Sequence, residues 1–343
     1  MKKKILIIKL GATGDALRTT VILPALKARY KNCHITWVTD AHSYSILQCN
    51  HLIDRLCVLD RSTKQRLKLE RFDLLYSFDK APAAASLAAL CKAKEKKGFC
   101  MTAQGTLSVF NKESMYALIL GISDELKFLQ NKKTYPQIIF EMAALPYRKQ
   151  GYVLDIPEDK DFQKKFLAKH AVKKTDILIG VFTGCGPVFP TKKWSIEGFA
   201  RLINRLGKCR GMRVVLLGGP LEAARNAKLK KLLTAPVIDS GCGNPLKDFI
   251  HIIGLLDVVV AADTLALHLG IAVKKRVVGI FTSTCASEIE LYGRGEIVKA
   301  DIACAPCYKK ACSSMKCLIS IKPANVLAAI KRQALIAKKS LAK

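Results

Sequence analysis

Short apolar runs rich in valine, isoleucine and leucine alternate along this chain with longer amphipathic stretches. In the first half, Lys4–Leu10, His34–Thr39, Arg55–Leu59 and Asp73–Phe78 read as buried strands, and Asp15–Tyr30 and Pro82–Lys94 as helices. In the second half the strand-like runs are Asp176–Phe182, Met212–Leu217, Pro236–Asp239, Asp257–Ala261 and Arg276–Phe281. Helical patterns fall at Ile196–Gly207, Leu221–Leu233 and Leu246–Leu255, and a last one, Pro323–Ser340, is rich in Ala, Leu and Lys. Strands apolar throughout must be covered on both faces, so the pattern predicts parallel sheets packed between helices. Pro24 lies inside the first helical stretch, where it should kink or restart the helix.

The two series are separated by the charged stretch Pro157–Thr175, and 343 residues exceed what one ordinary core absorbs. The expected fold is α/β: two Rossmann-like, doubly wound parallel-sheet domains facing a cleft. Their bounds are placed at 1–160 and 170–322, with a C-terminal helix over 323–343. Ligands of such sheets bind beyond the carboxyl ends of the strands, so the strand-to-helix turns are where chemistry is expected.

Charge adds one constraint. The formal net charge is +30, with +12 on residues 1–165 and +18 on residues 166–343. Such a field attracts polyanions, including phosphorylated substrates and anionic lipid, although a solvated lysine-rich surface explains it equally well. No aromatic-studded basic strand or recognition motif accompanies the charge, so no nucleic-acid partner is expected. No apolar run reaches the roughly 18 residues of a membrane span. The basic start Met1–Lys4 is followed by only Ile5–Ile8 before Lys9 interrupts, which reads as a first strand rather than an export signal. A cytoplasmic protein is expected, with contact at the inner-membrane surface left open by the charge. Nine of the 13 cysteines are scattered singly, as small buried hydrophobes are. Without export a disulfide framework is not expected.

Four turns carry candidate chemistry. Lys9-Leu10-Gly11-Ala12-Thr13-Gly14-Asp15 lacks the endings of a P-loop or a full dinucleotide fingerprint, but its glycines permit close backbone approach to a ligand. Asp15 reads either as a helix N-cap or as a carboxylate able to take a proton, with the cap the better reading from this segment alone. Phe182-Thr183-Gly184-Cys185-Gly186, followed by Lys192-Lys193-Trp194, could hold diphosphate oxygens on amides and a lysine; Lys192 and Lys193 could equally be solvated beside a core Trp194. Ser195 is the expected cap of the next helix. Gly218-Gly219-Pro220-Leu221-Glu222 offers Glu222 to a ribose or base, or to a helix dipole. Ala261-Ala262-Asp263-Thr264-Leu265 places Asp263 at a strand end, with His268 one turn along the next helix.

Together with Leu23-Pro24-Ala25-Leu26-Lys27, Cys304-Ala305-Pro306-Cys307-Tyr308 and Cys317-Leu318, these segments resemble glycosyltransferase family 9, the ADP-heptose:lipopolysaccharide heptosyltransferases, over nearly the whole chain. The resemblance implies a GT-B fold, with the acceptor bound by the first domain near Gly11, Thr13 and Gly14. The nucleotide sugar, ADP-heptose in this family, would bind the second domain. Asp15 would match the general base and Lys192 the donor-phosphate lysine. Glu222 would match the nucleoside contact, and Asp263, Thr264, Leu265 and His268 the loop around the diphosphate and sugar, with Thr183 and Gly184 beside it. Two departures leave the donor sugar open. Leu265 stands where the family usually has glycine, and Thr282-Ser283-Thr284-Cys285-Ala286 replaces a loop usually rich in Gly, Pro and Asp.

The implied reaction is inverting, metal-independent glycosyl transfer to a lipid A–core or related glycan acceptor, with no cofactor required beyond the nucleotide sugar. A sugar-nucleotide epimerase on the same fold is the alternative, and a basic nucleic-acid-binding protein a weaker one. Cys304, Cys307, Cys312 and Cys317 have spacing adequate for a structural zinc or iron–sulfur site, although structural thiols are the preferred reading.

Overall fold

Each series of strands builds one six-stranded sheet. The structure, a computed structural model, describes residues 2–341. Contacts divide the chain into two units, Met1–Pro157 with Ser287–Glu290, and Glu158–Ala286 with Leu291–Lys343.

In the first unit β1 (Lys3–Ile8), β2 (Cys33–Thr39), β3 (Arg55–Val58), β4 (Arg71–Ser77), β5 (Lys92–Met101) and β6 (Leu107–Val109) lie in the order β3-β2-β1-β4-β5-β6. All pairings are parallel except β5 with β6. Ile5 to Ile8 are fully buried, as a central strand covered on both faces requires. On one face Leu6, Ile8, Val38, Leu67, Leu75, Leu87 and Cys91 form a continuous core. The expected Asp15–Tyr30 helix is instead two helices, Thr13–Thr19 and Ile22–Arg29, with Pro24 in the first turn of the second. A proline is tolerated there because the first-turn N–H groups have no helical partner.

In the second unit β7 (Ile177–Phe182), β8 (Met212–Leu217), β9 (Ile238–Asp239), β10 (Val258–Ala262), β11 (Arg276–Phe281) and β12 (Gly295–Lys299) lie in the order β12-β11-β10-β7-β8-β9. The pairings are all parallel. The helix Ile196–Leu206 buries Phe199, Leu202, Ile203 and Leu206, and its cap is Ser195, whose hydroxyl accepts from Gly198 N at 2.9 Å. Trp194 is core: its ring meets Phe199 edge-on and its indole N–H donates to Leu318 O. The C-terminal helix Pro323–Leu341 packs its Val326, Ala329, Ile330 and Ala334 into the same core.

The strand orders matter for function. In each sheet the order reverses beside the first strand of its series, between β1 and β4 and between β7 and β10. Two neighbouring strands there send their connections to opposite faces, which opens a crevice at their carboxyl ends.

Candidate functional site

At the β1/β4 reversal, Lys9 and Asp79 follow the two strands and meet as a buried ion pair, Nζ to Oδ2 at 3.2 Å. The same carboxylate oxygen accepts the N–H groups of Leu10 at 3.1 Å and Gly11 at 3.4 Å, while Oδ1 accepts from Ala81 N. Asp79 thus ties the turn after β1 to the turn after β4. Burial alone would depress the Lys9 ammonium, but the Tyr135 hydroxyl, Asp15 and Asp79 outweigh it and hold the pKa above its ordinary value. Gly11 is needed for space, since a Cβ there would run into the Asp40 carboxylate.

Asp15 is not the helix cap. The cap position of Thr13–Thr19 is Ala12, and Asp15 sits in the first turn with its Oδ1 2.9 Å from Arg18 Nη2. One turn apart on one helix face, the two side chains are natural partners. The Arg18 guanidinium lies 3.7 Å over the Tyr135 ring, and the Tyr135 hydroxyl is 2.7 Å from Thr19 Oγ1. Asp15 keeps about a third of its side chain exposed, so a half-open carboxylate stands at the crevice of the first sheet, aimed by a stacked arginine. Thr13 and Gly14 occupy the same turn, with Thr13 Oγ1 donating to His42 O.

At the β7/β10 reversal Lys192 and Asp263 come together across 71 residues, Nζ to Oδ2 at 2.8 Å, and the ammonium also donates to Asp263 O at 3.3 Å. The buried His268 adds its Nε2 at 3.7 Å from Asp263 Oδ1. The helix Leu265–Ala272 starts here, and its cap residue Thr264 makes no side-chain capping bond; its Oγ1 is buried and unpartnered. A lysine ammonium, the unpaired amides of a helix start and a spare hydroxyl form a set of donors suited to an anion.

Thr183, Gly184 and Glu222 form a second group on the same sheet. Glu222 is buried, its Oε2 accepts from Gly219 N at 3.0 Å, and its carboxylate lies over Gly184, where a Cβ would collide with it. Burial pushes the Glu222 carboxyl up, against the pull of the Gly219 N–H and of Lys193. Thr183 Oγ1 donates to Asn226 Oδ1 at 2.6 Å. Arg225, absent from the sequence reading, links the two segments: its Nε donates to Thr183 O and its Nη2 to Trp194 O.

Arg61 and Lys64 were also not singled out from the sequence. They line a cavity of about 500 Å³ in the first unit with Leu59, Asp60, Pro82, Ala83 and Ser86. Asp60 is already occupied as the cap of the helix Arg61–Leu69, accepting from Thr63 N at 2.7 Å. The cavity therefore presents a net cationic wall at the ends of β3 and β4, facing the start of the helix Pro82–Leu90.

The C-terminal cysteines are free thiols, from the exposed Cys304 through Cys307 and Cys312 to the buried Cys317. Among the described residues no three His, Cys, Asp or Glu side chains gather as a metal ion would need. Their loop has another connection: Cys307 N and Tyr308 N both donate to Ser283 O, and Thr191 Oγ1 donates to Lys309 O at 2.6 Å. It therefore buttresses the turn that ends in Lys192.

Comparison with known proteins identifies the family and the fold. The family model for glycosyltransferase family 9 (heptosyltransferase) matches residues 61–318. A glycosyl transferase of family 9 from Veillonella parvula shares the fold with a TM-score of 0.75 at 18% identity, covering 97% of this chain and 98% of its own. The ADP-heptose lps heptosyltransferase II of E. coli follows with a TM-score of 0.70 at 17% identity, covering 98% and 99%. The E. coli heptosyltransferase WaaC with ADP has a TM-score of 0.61 at 15% identity, covering 97% and 99%. No curated protein sequence matches the chain. The two parallel-sheet units have the GT-B fold of these structures.

Proposed function

The chain belongs to glycosyltransferase family 9, the heptosyltransferase family, and from that premise we propose that it moves a heptose from ADP-heptose to a lipopolysaccharide-core or related glycan acceptor with inversion. The observation that carries the reading is the Lys192–Asp263 pair at the start of the helix Leu265–Ala272, a fixed cation at the crevice of the second sheet. Breaking a glycosyl–phosphate bond leaves charge on the departing diphosphate. A donor already held in place stabilises that charge without reorganising. In this reading Lys192, the helix amides and the Thr264 hydroxyl carry it rather than a divalent ion, Glu222 holds the nucleoside, and Thr183 and Gly184 line its path. Asp263 and His268 position the lysine.

Asp15 takes the proton from the acceptor hydroxyl as its oxygen attacks the anomeric carbon. Arg18 fixes the carboxylate, and Gly11, Thr13 and Gly14 admit the acceptor backbone-close. The cavity of Arg61 and Lys64 suits an anionic group on that acceptor, such as a sugar carboxylate or phosphate. Contact with an anionic inner-membrane surface, at the cytoplasmic side, fits the same acceptor. The four C-terminal thiols enter as structural thiols that support the Lys192 turn.

The test is product analysis with ADP-heptose, with and without a core-oligosaccharide acceptor. Glycosylated acceptor, formed only when both are present, supports the reading; an epimerised sugar nucleotide formed without acceptor replaces it with an epimerase. Asp15→Asn should fold normally and lose about 10²- to 10⁴-fold in kcat/KM. Near-normal turnover by that variant removes Asp15 as the base.

A further inference from the structure

Asp15 and its partner Arg18 share one short helix, but the side chain that fixes them both comes from far along the chain. A long arginine side chain loses much rotamer freedom when it is held in one place, and a packing contact must offset that. The contact is the Tyr135 ring, whose centroid lies 3.7 Å from the Arg18 guanidinium carbon, well inside cation–π range. The Tyr135 hydroxyl reaches Asp15 by a second route. Thr19 Oγ1 lies 2.7 Å from that hydroxyl and 2.7 Å from Asp15 O. A threonine hydroxyl has one proton, and a carbonyl can only accept. The Thr19 proton therefore goes to Asp15 O, and Tyr135 donates to Thr19. Burial pushes the Tyr135 phenol up, against the pull of Lys9 and Arg18, so it keeps the proton it donates. One aromatic side chain thus holds Asp15 twice, its carboxylate through Arg18 and its backbone carbonyl through Thr19.

Tyr135 is itself well anchored. It opens the helix Tyr135–Met142, which buries Ile138, Ile139, Phe140 and Met142, and at its start the Thr134 N–H donates to Gln137 Oε1 at 2.7 Å. Tyr135 and Thr19 are 116 residues apart, so tertiary folding makes the contact. An ion pair within one helix is loose when nothing packs on it; here Arg18 keeps only 13% of its side chain exposed. The other charges that face Asp15 come from separate elements. Lys9, bound to Asp79, follows β1, and Lys80, on which Lys127 and Glu288 also act, follows β4. None of these depends on the Tyr135 ring for its place in the chain, so removing the ring singles out Arg18.

We propose that Tyr135 is a positioning residue for the general base, aiming Asp15 by carrying Arg18 on its ring and Thr19 on its hydroxyl. The catalytic part rests on the reading of Asp15 as the base, whereas the hold on the carboxylate does not. The test compares Tyr135→Leu with Tyr135→Phe, by NMR titration of the isotope-labelled Asp15 carboxyl and by the pH dependence of kcat/KM. In Tyr135→Leu the Asp15 titration and the acid limb of kcat/KM should both move up by about half a pH unit or more, because a cation that swings away no longer favours the charged carboxylate. Its kcat should fall about 10- to 100-fold with KM for ADP-heptose unchanged, since a small misplacement of a catalytic group is costly. Tyr135→Phe keeps the ring and should leave both titrations in place, with a loss in kcat below about tenfold. Both variants lose the hydroxyl, so damage to folding alone would lower activity in each and move neither titration. An unmoved Asp15 titration in Tyr135→Leu overturns the proposal, with or without transferase activity, and so does an equal shift in Tyr135→Phe. Near-normal turnover by Asp15→Asn removes the base instead, and a shifted titration would then leave Tyr135 only its hold on the carboxylate, overturning its part in catalysis.

Discussion

At the scale of single residues, the informative result is that side chains with ordinary structural explanations acquire specific partners. Asp15 illustrates the point. From the sequence a helix cap was the better reading, and only the family resemblance argued for a base; the structure leaves the cap to Ala12 and gives the carboxylate to Arg18. That partner was legible in principle, because Asp15 and Arg18 have the spacing of neighbours on a helix face. Arg225 was not legible, since nothing local signals that its guanidinium reaches two carbonyls about 30 to 40 residues away. Glu222 gives a prediction at this scale. Its carboxyl is pushed up by burial, so the folded state holds its proton more tightly than the unfolded state does. The sign follows: folding stability falls as pH rises from the ordinary carboxyl range through the raised value. Glu222→Gln, which keeps an oxygen for Gly219 N, should melt like the unaltered protein in acid and above it at neutral pH. The gap should open across that window in a series of thermal melts, while affinity for the nucleotide falls. A gap independent of pH would mean that the carboxyl charge is not what is being removed.

At the scale of elements, strands that bury both faces were read closely from their apolar runs, and Met212–Leu217 and Arg276–Phe281 coincide with β8 and β11. The strands that escaped are β5, β6 and β12. Lys92-Ala93-Lys94-Glu95-Lys96-Lys97 in β5 has residues that favour helices and polar groups on both faces, so neither period appears. Tertiary contacts explain why it is nonetheless a strand. Lys96 Nζ donates to Ala88 O and Ala89 O at the end of the helix Pro82–Leu90, and Lys97 Nζ to Ala143 O after Tyr135–Met142. Lysines that looked solvated therefore close two helix C-termini, where the dipole favours a cation. The stitch between β1 and β4 is the element-level feature on which the first crevice depends. Asp79→Ala leaves Lys9 buried with less compensation and orphans the N–H groups of Leu10 and Gly11. The expected cost is about 3 kcal/mol or more, measured as a lowered urea midpoint. A loss below about 1 kcal/mol would show that Tyr135 and Asp15 suffice to compensate Lys9.

At the scale of the whole molecule, two units with separate cores should respond separately to ligands. A ligand held by the second sheet stabilises only the unit that binds it, by an amount set by its concentration relative to its dissociation constant. At about a hundredfold excess over that constant the gain is about 2.7 kcal/mol. For a unit of this size that raises Tm by roughly 5 to 10 °C. Scanning calorimetry with ADP-heptose should therefore move one transition upward and leave the other in place, and UDP- and GDP-sugars should move neither. Lys192→Ala removes the cation that meets the diphosphate and leaves Asp263 without its ion pair, so it should abolish most of the shift and reduce kcat by about 10²- to 10³-fold. Because Lys192 and Asp263 are both only 17% exposed, the variant is also expected to melt somewhat lower without ligand. The ligand-induced shift rather than the absolute Tm is thus the discriminating quantity. A shift of both transitions together would mean that the units melt as one, and a full shift in Lys192→Ala would place the diphosphate elsewhere.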